Sequence, residues 1–119
     1  MLDDSKPLFV AVAEQIEDGI LDGTYAEDDP VPSTNELAAF LRINPATAGK
    51  GFSLLVDAGV LIKRRGIGMF VAPGAREALR QRRRFAFQDQ FIAPLLREAA
   101  QLGISAEDLA DMITKEAVR

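Results

Sequence analysis

Three consecutive basic residues stand beside a glycine near the middle of the chain, in the segment Lys63-Arg64-Arg65-Gly66. Ammonium and guanidinium groups next to a tight turn can hold phosphate oxygens or enter a minor groove. The alternative is that these charges only discourage unwanted sheet pairing at a hairpin edge. The chemistry that this segment favours is contact with the backbone of a nucleic acid.

A second group of polar side chains lies upstream of this basic segment. Ala46, Lys50, Ser53 and Asp57 are spaced by four, three and four residues, which places them on one face of a helix. A lysine in the N-terminal half of a recognition helix reaches guanine edges or phosphates, whereas the alternative is a solvated surface lysine. The Thr47 hydroxyl either bonds locally or joins Lys50 at the nucleic acid.

The start of another helix carries further donors in Ser33-Thr34-Asn35-Glu36. Ser followed by Glu three residues later predicts a capping box. Thr34 and Asn35 would then stand in the first turn, where side-chain and backbone donors meet phosphate. Asn44 followed by Pro45 marks the start of the next helix in the same way.

Several kinds of chemistry are excluded by composition, because the chain has no His and no Cys. Disulfides, thiol nucleophiles, imidazole or thiolate metal sites and a histidine base are therefore absent. The acidic run Glu27-Asp28-Asp29 lacks the spaced ligands and glycine of a calcium loop, so a solvated loop is predicted. We expect neither an enzyme nor a bound cofactor or metal.

Charge is segregated along the chain, although the net charge is −4. Between Leu37 and Arg76 six basic residues stand against one acid, Asp57, whereas ten carboxylates and one lysine precede Leu37. A basic patch on an acidic protein is compatible with a polyanion partner.

The helices and strands that must position these side chains are predicted from the spacing of apolar residues and from the residues that end helices or form turns. Helices are predicted over residues 7–21, 34–41 and 45–58, and the last stops at Gly59. Val60-Leu61-Ile62 and Met69-Phe70-Val71 have strand composition, with a connection over residues 65–68. Two short helices around a tight turn and a following hairpin form a winged helix-turn-helix.

The first helix is predicted to be amphipathic, with Tyr25 packing below it. Its buried stripe would be Phe9, Ala13, Ile16 and Ile20, and its solvent side Glu14, Glu17 and Asp18.

Beyond Pro73-Gly74 the pattern predicts a helix over residues 75–102, kinked or split at Pro94, and a closing helix over 106–117 capped by Ser105. Two helices cannot enclose so many large apolar groups, so burial against a second copy is expected. The predicted dimerisation residues are Phe85, Phe87, Phe91, Ile92, Leu95, Leu96, Leu102, Leu109, Met112 and Ile113. Arg82-Arg83-Arg84 either solvates this helix or adds affinity for a nucleic-acid backbone.

The predicted fold is mostly α with a small β-hairpin, organised as a winged helix-turn-helix over residues 1–73 and a two-helix dimerisation domain over 74–119. No apolar run approaches the roughly 18 residues that span a bilayer, and the N-terminus Met1-Leu2-Asp3-Asp4 is acidic, unlike a secretory leader. We therefore expect a cytoplasmic protein without a membrane partner.

Short motifs over residues 7–72 resemble, in order and spacing, the N-terminal domain of GntR-family transcriptional regulators. They are Pro7-Leu8-Phe9, Gln15-Ile16, Gly19-Ile20, Pro32-Ser33, Glu36-Leu37-Ala38, Asn44-Pro45-Ala46-Thr47, Ala58-Gly59-Val60-Leu61 and Arg65-Gly66-Ile67-Gly68-Met69-Phe70-Val71. The remaining segment, with FIAPLLREAAQLGISAEDLADMI, resembles the short two-helix tail of the YtrA-like branch.

The resemblance implies a bacterial homodimeric regulator, commonly a repressor, that binds a near-palindromic operator in double-stranded DNA. The predicted DNA-binding residues are Ser33, Thr34, Asn35, Asn44, Ala46, Thr47, Lys50, Lys63, Arg64, Arg65, Gly66 and Gly68. Asn35 and Gly49 stand where the family usually has Arg or another polar reader, so direct readout is expected to depend on Thr47, Lys50 and the wing. Gly51 is expected to permit close approach to the preceding helix.

One alternative is a winged-helix module that has lost sequence reading and serves protein interaction or non-specific DNA tethering. Asn35, Gly49 and the acidic total favour that alternative. The sequence leaves open whether a small-molecule effector binds, and where.

Overall fold

The computed structural model describes residues 5–119, so the acidic residues 1–4 lie outside the described part of the chain. Helices α1 (Leu8–Leu21), α2 (Thr34–Leu41) and α3 (Pro45–Asp57) precede strands β1 (Leu61–Arg64) and β2 (Gly68–Val71). Helices α4 (Ala75–Phe87), α5 (Ala93–Gln101) and α6 (Ala106–Ala117) follow. Across residues 5–119, no helix combines the length and the apolar character that a membrane crossing requires.

The predicted winged helix-turn-helix is confirmed, and its helix starts are set by side-chain caps. The Ser33 hydroxyl accepts from the Glu36 backbone N–H at 3.0 Å, and Glu36 Oε1 accepts from the Ser33 N–H at 3.0 Å. These two bonds form the predicted capping box of α2. At α3, Asn44 Oδ1 accepts from the Ala46 N–H at 2.8 Å. Arg42 takes the left-handed conformation, with φ 57°, and turns the chain between α2 and α3.

The core of the first compact unit lies where α1 crosses α3 and the hairpin closes over them. Its largest fully buried side chains include Phe52 of α3, Ile16 and Ile20 of α1, Leu61 of β1 and Leu79 of α4. Burying a side chain of this kind contributes roughly 1.5–3 kcal/mol. This core fixes α3 against α1, and therefore fixes which face of α3 remains outside.

The prediction that Glu14, Glu17 and Asp18 form the solvent-exposed side of α1 is partly wrong. Asp18 is exposed, but Glu14 is half-buried and Glu17 is buried. Glu17 stands four residues after the buried Ala13 and three before the buried Ile20, so it lies at the edge of the buried stripe. Tyr25 packs against the core as predicted, and its ring lies on Gly19, where an added Cβ would stand 2.5 Å from Tyr25 Cε2.

The hairpin is longer than its sequence predicted. Leu61 pairs with Val71 and Arg64 with Gly68 in an antiparallel register, so only residues 65–67 form the connection. Gly68 belongs to β2, contrary to its predicted place in the connection. Pro30 adds an isolated bridge to Phe70, which ties the loop after α1 to the wing.

The chain divides into two compact units, of which the first ends at Arg80 and the second spans Gln81–Arg119. In the second unit α5 packs on α6, Ala99 and Leu109 are buried, and Gly103 turns the chain between them with φ 73°. Ser105 caps α6 by accepting from the Asp108 N–H at 3.1 Å, as predicted.

The predicted interruption at Pro94 is displaced toward the N-terminus. A π-helical turn at Gln88–Ile92 joins α4 to α5, and Pro94 lies in the first turn of α5. The ring of a proline clashes with the carbonyl four residues earlier, and a wider turn ahead of it removes that clash. The helical backbone therefore runs from α4 through the irregular π-turn into α5, and Pro94 itself does not split it.

Candidate nucleic-acid interface

The start of α2 lies beside the middle of α3. A Cβ added at Gly49 would stand 3.7 Å from Thr34 Cγ2, an ordinary van der Waals contact. Ser33 and Asn35 are exposed at this end of α2, and Thr34 is half-buried against α3. The two groups of polar side chains predicted for DNA are therefore neighbours in the fold.

The outward face predicted for α3 is present in the structure. Ala46, Lys50, Ser53 and Asp57 are all exposed, whereas Thr47 is half-buried. Asn44 is exposed too, and its side-chain oxygen serves as the helix cap.

The Lys50 ammonium nitrogen lies 4.8 Å from the centroid of the Phe9 ring, which belongs to α1. At this distance a cation is attracted to the face of an aromatic ring. Phe9 was predicted only as a member of the buried stripe, and it is in fact half-buried. Sequence spacing could not find this pair, because the two residues are far apart in the chain.

Gly51 makes a close helix contact, but the predicted partner was wrong. An added Cβ would lie 2.8 Å from the Phe9 carbonyl oxygen and 3.0 Å from Val12 Cγ1. The closest atoms therefore belong to α1, not to the preceding helix α2. This contact brings Phe9 next to the turn of α3 that carries Lys50.

The basic residues of the wing do not share one face. Neighbouring strand residues point to opposite sides, so Lys63 and Arg64 of β1 diverge. The Arg64 guanidinium carbon lies 4.4 Å from the Phe70 ring centroid, and its nitrogen is 4.0 Å from an Asp28 carboxylate oxygen. Arg65 is exposed in the connection. The three side chains thus have different surroundings, although they are consecutive in sequence.

Two glycines accompany these residues at the wing tip. Gly66 and Gly68 have φ of 77° and 143°, values that L side chains rarely adopt, and both are exposed. Without a Cβ, this part of the backbone can approach a ligand closely.

The acidic loop contributes more to the fold than a solvated loop would. Glu27 Oε1 accepts from the Gly74 N–H at 2.7 Å, and the Asp28 N–H donates to the Val71 carbonyl at 2.9 Å. These hydrogen bonds hold the loop that follows α1 against the end of the hairpin. Within residues 5–119, no cluster of carboxylates is placed to hold a metal ion.

Most of the predicted dimerisation residues are exposed within the second unit or on α4. Leu109 differs, because it is buried inside its own unit. Ile92 is half-buried. The exposed members are Phe85, Phe87, Phe91, Leu95, Leu96, Leu102, Met112 and Ile113.

Comparison with known proteins gives a consistent result. Residues 8–71 match the family of bacterial regulatory proteins described as the gntR family. The transcriptional repressor YtrA of Bacillus subtilis is 27% identical over 109 residues, which cover 92% of this chain and 83% of that protein.

Solved structures agree with the fold. A GntR family transcriptional regulator from Listeria monocytogenes is 28% identical, with a TM-score of 0.75 over 95% of this chain and 97% of its own. The DNA-binding domain of AraR in complex with operator ORX1 is 33% identical, with a TM-score of 0.55, and covers 56% of this chain and 81% of its own.

Proposed function

The chain belongs to the gntR family of bacterial regulatory proteins and is a DNA-binding transcriptional regulator, and we propose that it acts as a repressor that binds a near-palindromic operator as a homodimer. Helix α3 would enter the major groove, the start of α2 would contact phosphates, and the wing would add backbone affinity. The pairing of two copies would be made by the exposed apolar side chains of residues 75–119.

The observation that carries the proposed site is the proximity of Thr34 to Gly49, where an added Cβ would lie 3.7 Å from Thr34 Cγ2, because it joins the start of α2 to the middle of α3. Ser33, Asn35 and Lys50 are exposed around this junction. Backbone donors at a helix N-terminus and a lysine on a groove-reading helix match the two contact types that position and specify a duplex.

Selection from a pool of random duplexes tests the operator proposal. We expect enrichment of one near-palindromic motif, with half-sites about 34–36 Å apart or a multiple of this distance. A motif without twofold symmetry would contradict the dimeric arrangement. Absence of enrichment at moderate salt would instead support a tethering module that does not read sequence.

The wing is tested by the salt dependence of DNA affinity. We predict that Arg65→Ala weakens binding to all sequences alike and reduces the slope of log K against log salt by about 0.9, the value for one phosphate. Arg64→Ala should act in the same direction but less strongly, since Asp28 and Phe70 already engage this side chain. Arg97→Ala, on α5, is the matched control. An unchanged slope in both wing variants would exclude the proposed phosphate contacts.

A further inference from the structure

A cavity of about 500 Å³ opens between the C-terminal half of α1 and α2. Its volume lies in the range of about 300–1,000 Å³ that is usual for small-molecule sites. Asp18, Asp22 and Glu36 line it together with Tyr25, Leu37 and Phe40. None of the described residues that line it is basic. The cavity thus combines an apolar surface with three carboxylates, one of which, Asp22, also interacts with the Arg76 guanidinium.

Two of the residues that line the cavity, Tyr25 and Phe40, are aromatic. The Tyr25 ring is fixed against Gly19, because the missing side chain leaves room for it. Leu37 is buried at the base of α2, whereas Phe40, one turn later, is 73% exposed. Ring faces of this kind attract cations as well as apolar groups.

Hydrogen bonds favour the ionised form of two of the lining carboxylates, Asp22 and Glu36. Hydrogen bonds from the Thr24 hydroxyl, at 2.6 Å, and from the Thr24 N–H, at 2.9 Å, hold the pKa of Asp22 below its ordinary value. Hydrogen bonds from the backbone and side chain of Ser33 lower the pKa of Glu36. The hydrogen bonds on Asp22 and Glu36 therefore favour their charged forms, and negatively charged side chains attract cations.

We propose that this cavity binds a small organic cation with an apolar body, such as a quaternary ammonium or guanidinium compound. The cation would lie among the three carboxylates, and its apolar body would contact Tyr25 and Phe40. The site touches the proposed DNA contacts only through the hydrogen bonds between Glu36 and Ser33, and cation binding in it does not depend on those contacts.

Occupancy of the cavity also acts on α2, because Glu36 is shared. Its Oε1 accepts the Ser33 N–H that closes the capping box, and its side chain lines the cavity. A bound cation competes for this carboxylate and loosens the first turn of α2. Thr34 and Asn35 stand in that turn, so the consequence for DNA rests on the proposed function.

Titration of the full-length, isotope-labelled chain with benzyltrimethylammonium chloride, followed by amide resonances, tests the site. We expect saturable shifts at Gly19, Thr24 and Leu37, and none with benzyl alcohol or with sodium chloride at equal concentration. Phe40→Ala and Asp18→Asn, both at exposed positions, should each weaken binding about threefold. Asp57→Asn, on the outer face of α3, should not change it.

Absence of saturable shifts, equal shifts with benzyl alcohol, or unchanged affinity in both cavity variants would overturn the proposal. The coupling is measured by adding the saturating cation to a DNA-binding titration. We expect about fivefold weaker DNA binding by the wild type, at the low end of known couplings, and the same weakening of the Phe40→Ala variant only at about threefold higher cation concentration. An unchanged wild-type affinity would overturn the coupling, whereas the Arg64→Ala and Arg65→Ala variants test the DNA contacts separately.

Discussion

At Lys50, the position of a charged group is set by a residue from a different helix. The Phe9 ring faces the ammonium at 4.8 Å, while the Phe9 carbonyl oxygen abuts Gly51. A side chain held in this way loses less conformational freedom when it binds. We infer that Phe9 is a positioning residue for Lys50, and this inference depends on the proposed role of Lys50 as a reader.

Replacement of Phe9 tests this arrangement. Phe9→Leu removes the ring face but keeps an apolar side chain, so the side-chain proton resonances of Lys50 should lose their ring-current shift. Discrimination between the selected operator and a one-base variant should fall about two- to fivefold, the effect of an exposed cation–π contact. Phe9→Tyr should restore both properties. Unchanged Lys50 resonances in the leucine variant would rule out the pairing, whatever the DNA result.

Replacing Gly49 or Gly51 of α3 by alanine is predicted to change the free energy of unfolding in opposite directions, although the two residues are only two positions apart. Gly49→Ala should raise the free energy of unfolding by about 0.5–1 kcal/mol, because Thr34 is at contact distance and alanine favours a helix. Gly51→Ala should lower it by about 1–3 kcal/mol, since the new methyl group meets the Phe9 carbonyl oxygen. Urea unfolding of both variants measures this difference. Stabilisation by Gly51→Ala would contradict the close helix contact.

Replacing Gly49 by arginine tests whether α3 lacks a DNA-contacting side chain at this position. We expect Gly49→Arg to tighten DNA binding by about tenfold, if its guanidinium contacts one base edge or phosphate. Gly49→Ala is the control, because it has the same gain in helix propensity without the charge. Equal affinities of the two variants, measured by DNA titration, would show that residue 49 does not approach the duplex.

At the scale of elements, the capping box links the stability of α2 to pH. The pKa of Glu36 is lowered from its ordinary value of 4.5 by hydrogen bonds from Ser33. A lowered pKa in the folded state means that this contribution is present above pH 4.5 and is lost as the pH falls through the folded pKa. Titration of the Glu36 side chain by nuclear magnetic resonance should give a midpoint below 4.5. The stability difference between wild type and Glu36→Gln should shrink as the pH falls.

In the wing, basic residues that are consecutive in sequence point to different sides of the hairpin. Its register places Lys63 opposite Met69 and Arg64 opposite Gly68, so the two basic side chains leave the hairpin on different sides. Asp28, from the loop after α1, lies 4.0 Å from Arg64. An exposed pair at this distance is weak, and phosphate can displace it. The basic side chains of the hairpin are therefore engaged by neighbouring residues to different extents and do not form one uniform cluster.

At the scale of the whole molecule, the exposed apolar side chains of residues 75–119 support the proposed homodimer. Phe85 is 92% exposed, so its replacement removes little packing within its own chain. We expect Phe85→Ser to weaken self-association about tenfold, as for an aromatic interface residue, without a change in helix content. Sedimentation over a range of concentrations, with circular dichroism, measures both quantities.

Leu109→Ala is the contrasting variant, because Leu109 is buried within one unit. It should lower the free energy of unfolding by about 2 kcal/mol, at the low end for a core leucine. If Phe85→Ser sedimented like the wild type at every concentration, Phe85 would have no part in the interface.

The sequence by itself determined the first three helices, the caps of α2, α3 and α6, and the presence of a hairpin, although not its length. These features depend on neighbours within a few residues: Ser33 with Glu36, Asn44 with Ala46, and the apolar period of each helix. The order of its short motifs also indicated the family to which the chain belongs. Local interactions of this kind can be predicted from the spacing of residue types along the chain.

Only the tertiary structure decided which side chains meet across elements. The ring of Phe9 over Lys50, Asp28 beside Arg64 and the Glu27 carboxylate on the Gly74 N–H join residues that are distant in the chain. The cavity between α1 and α2 and the burial of Leu109 have the same origin. Such contacts are set by how helices and strands pack around a shared core, and a single sequence carries no local signal for them.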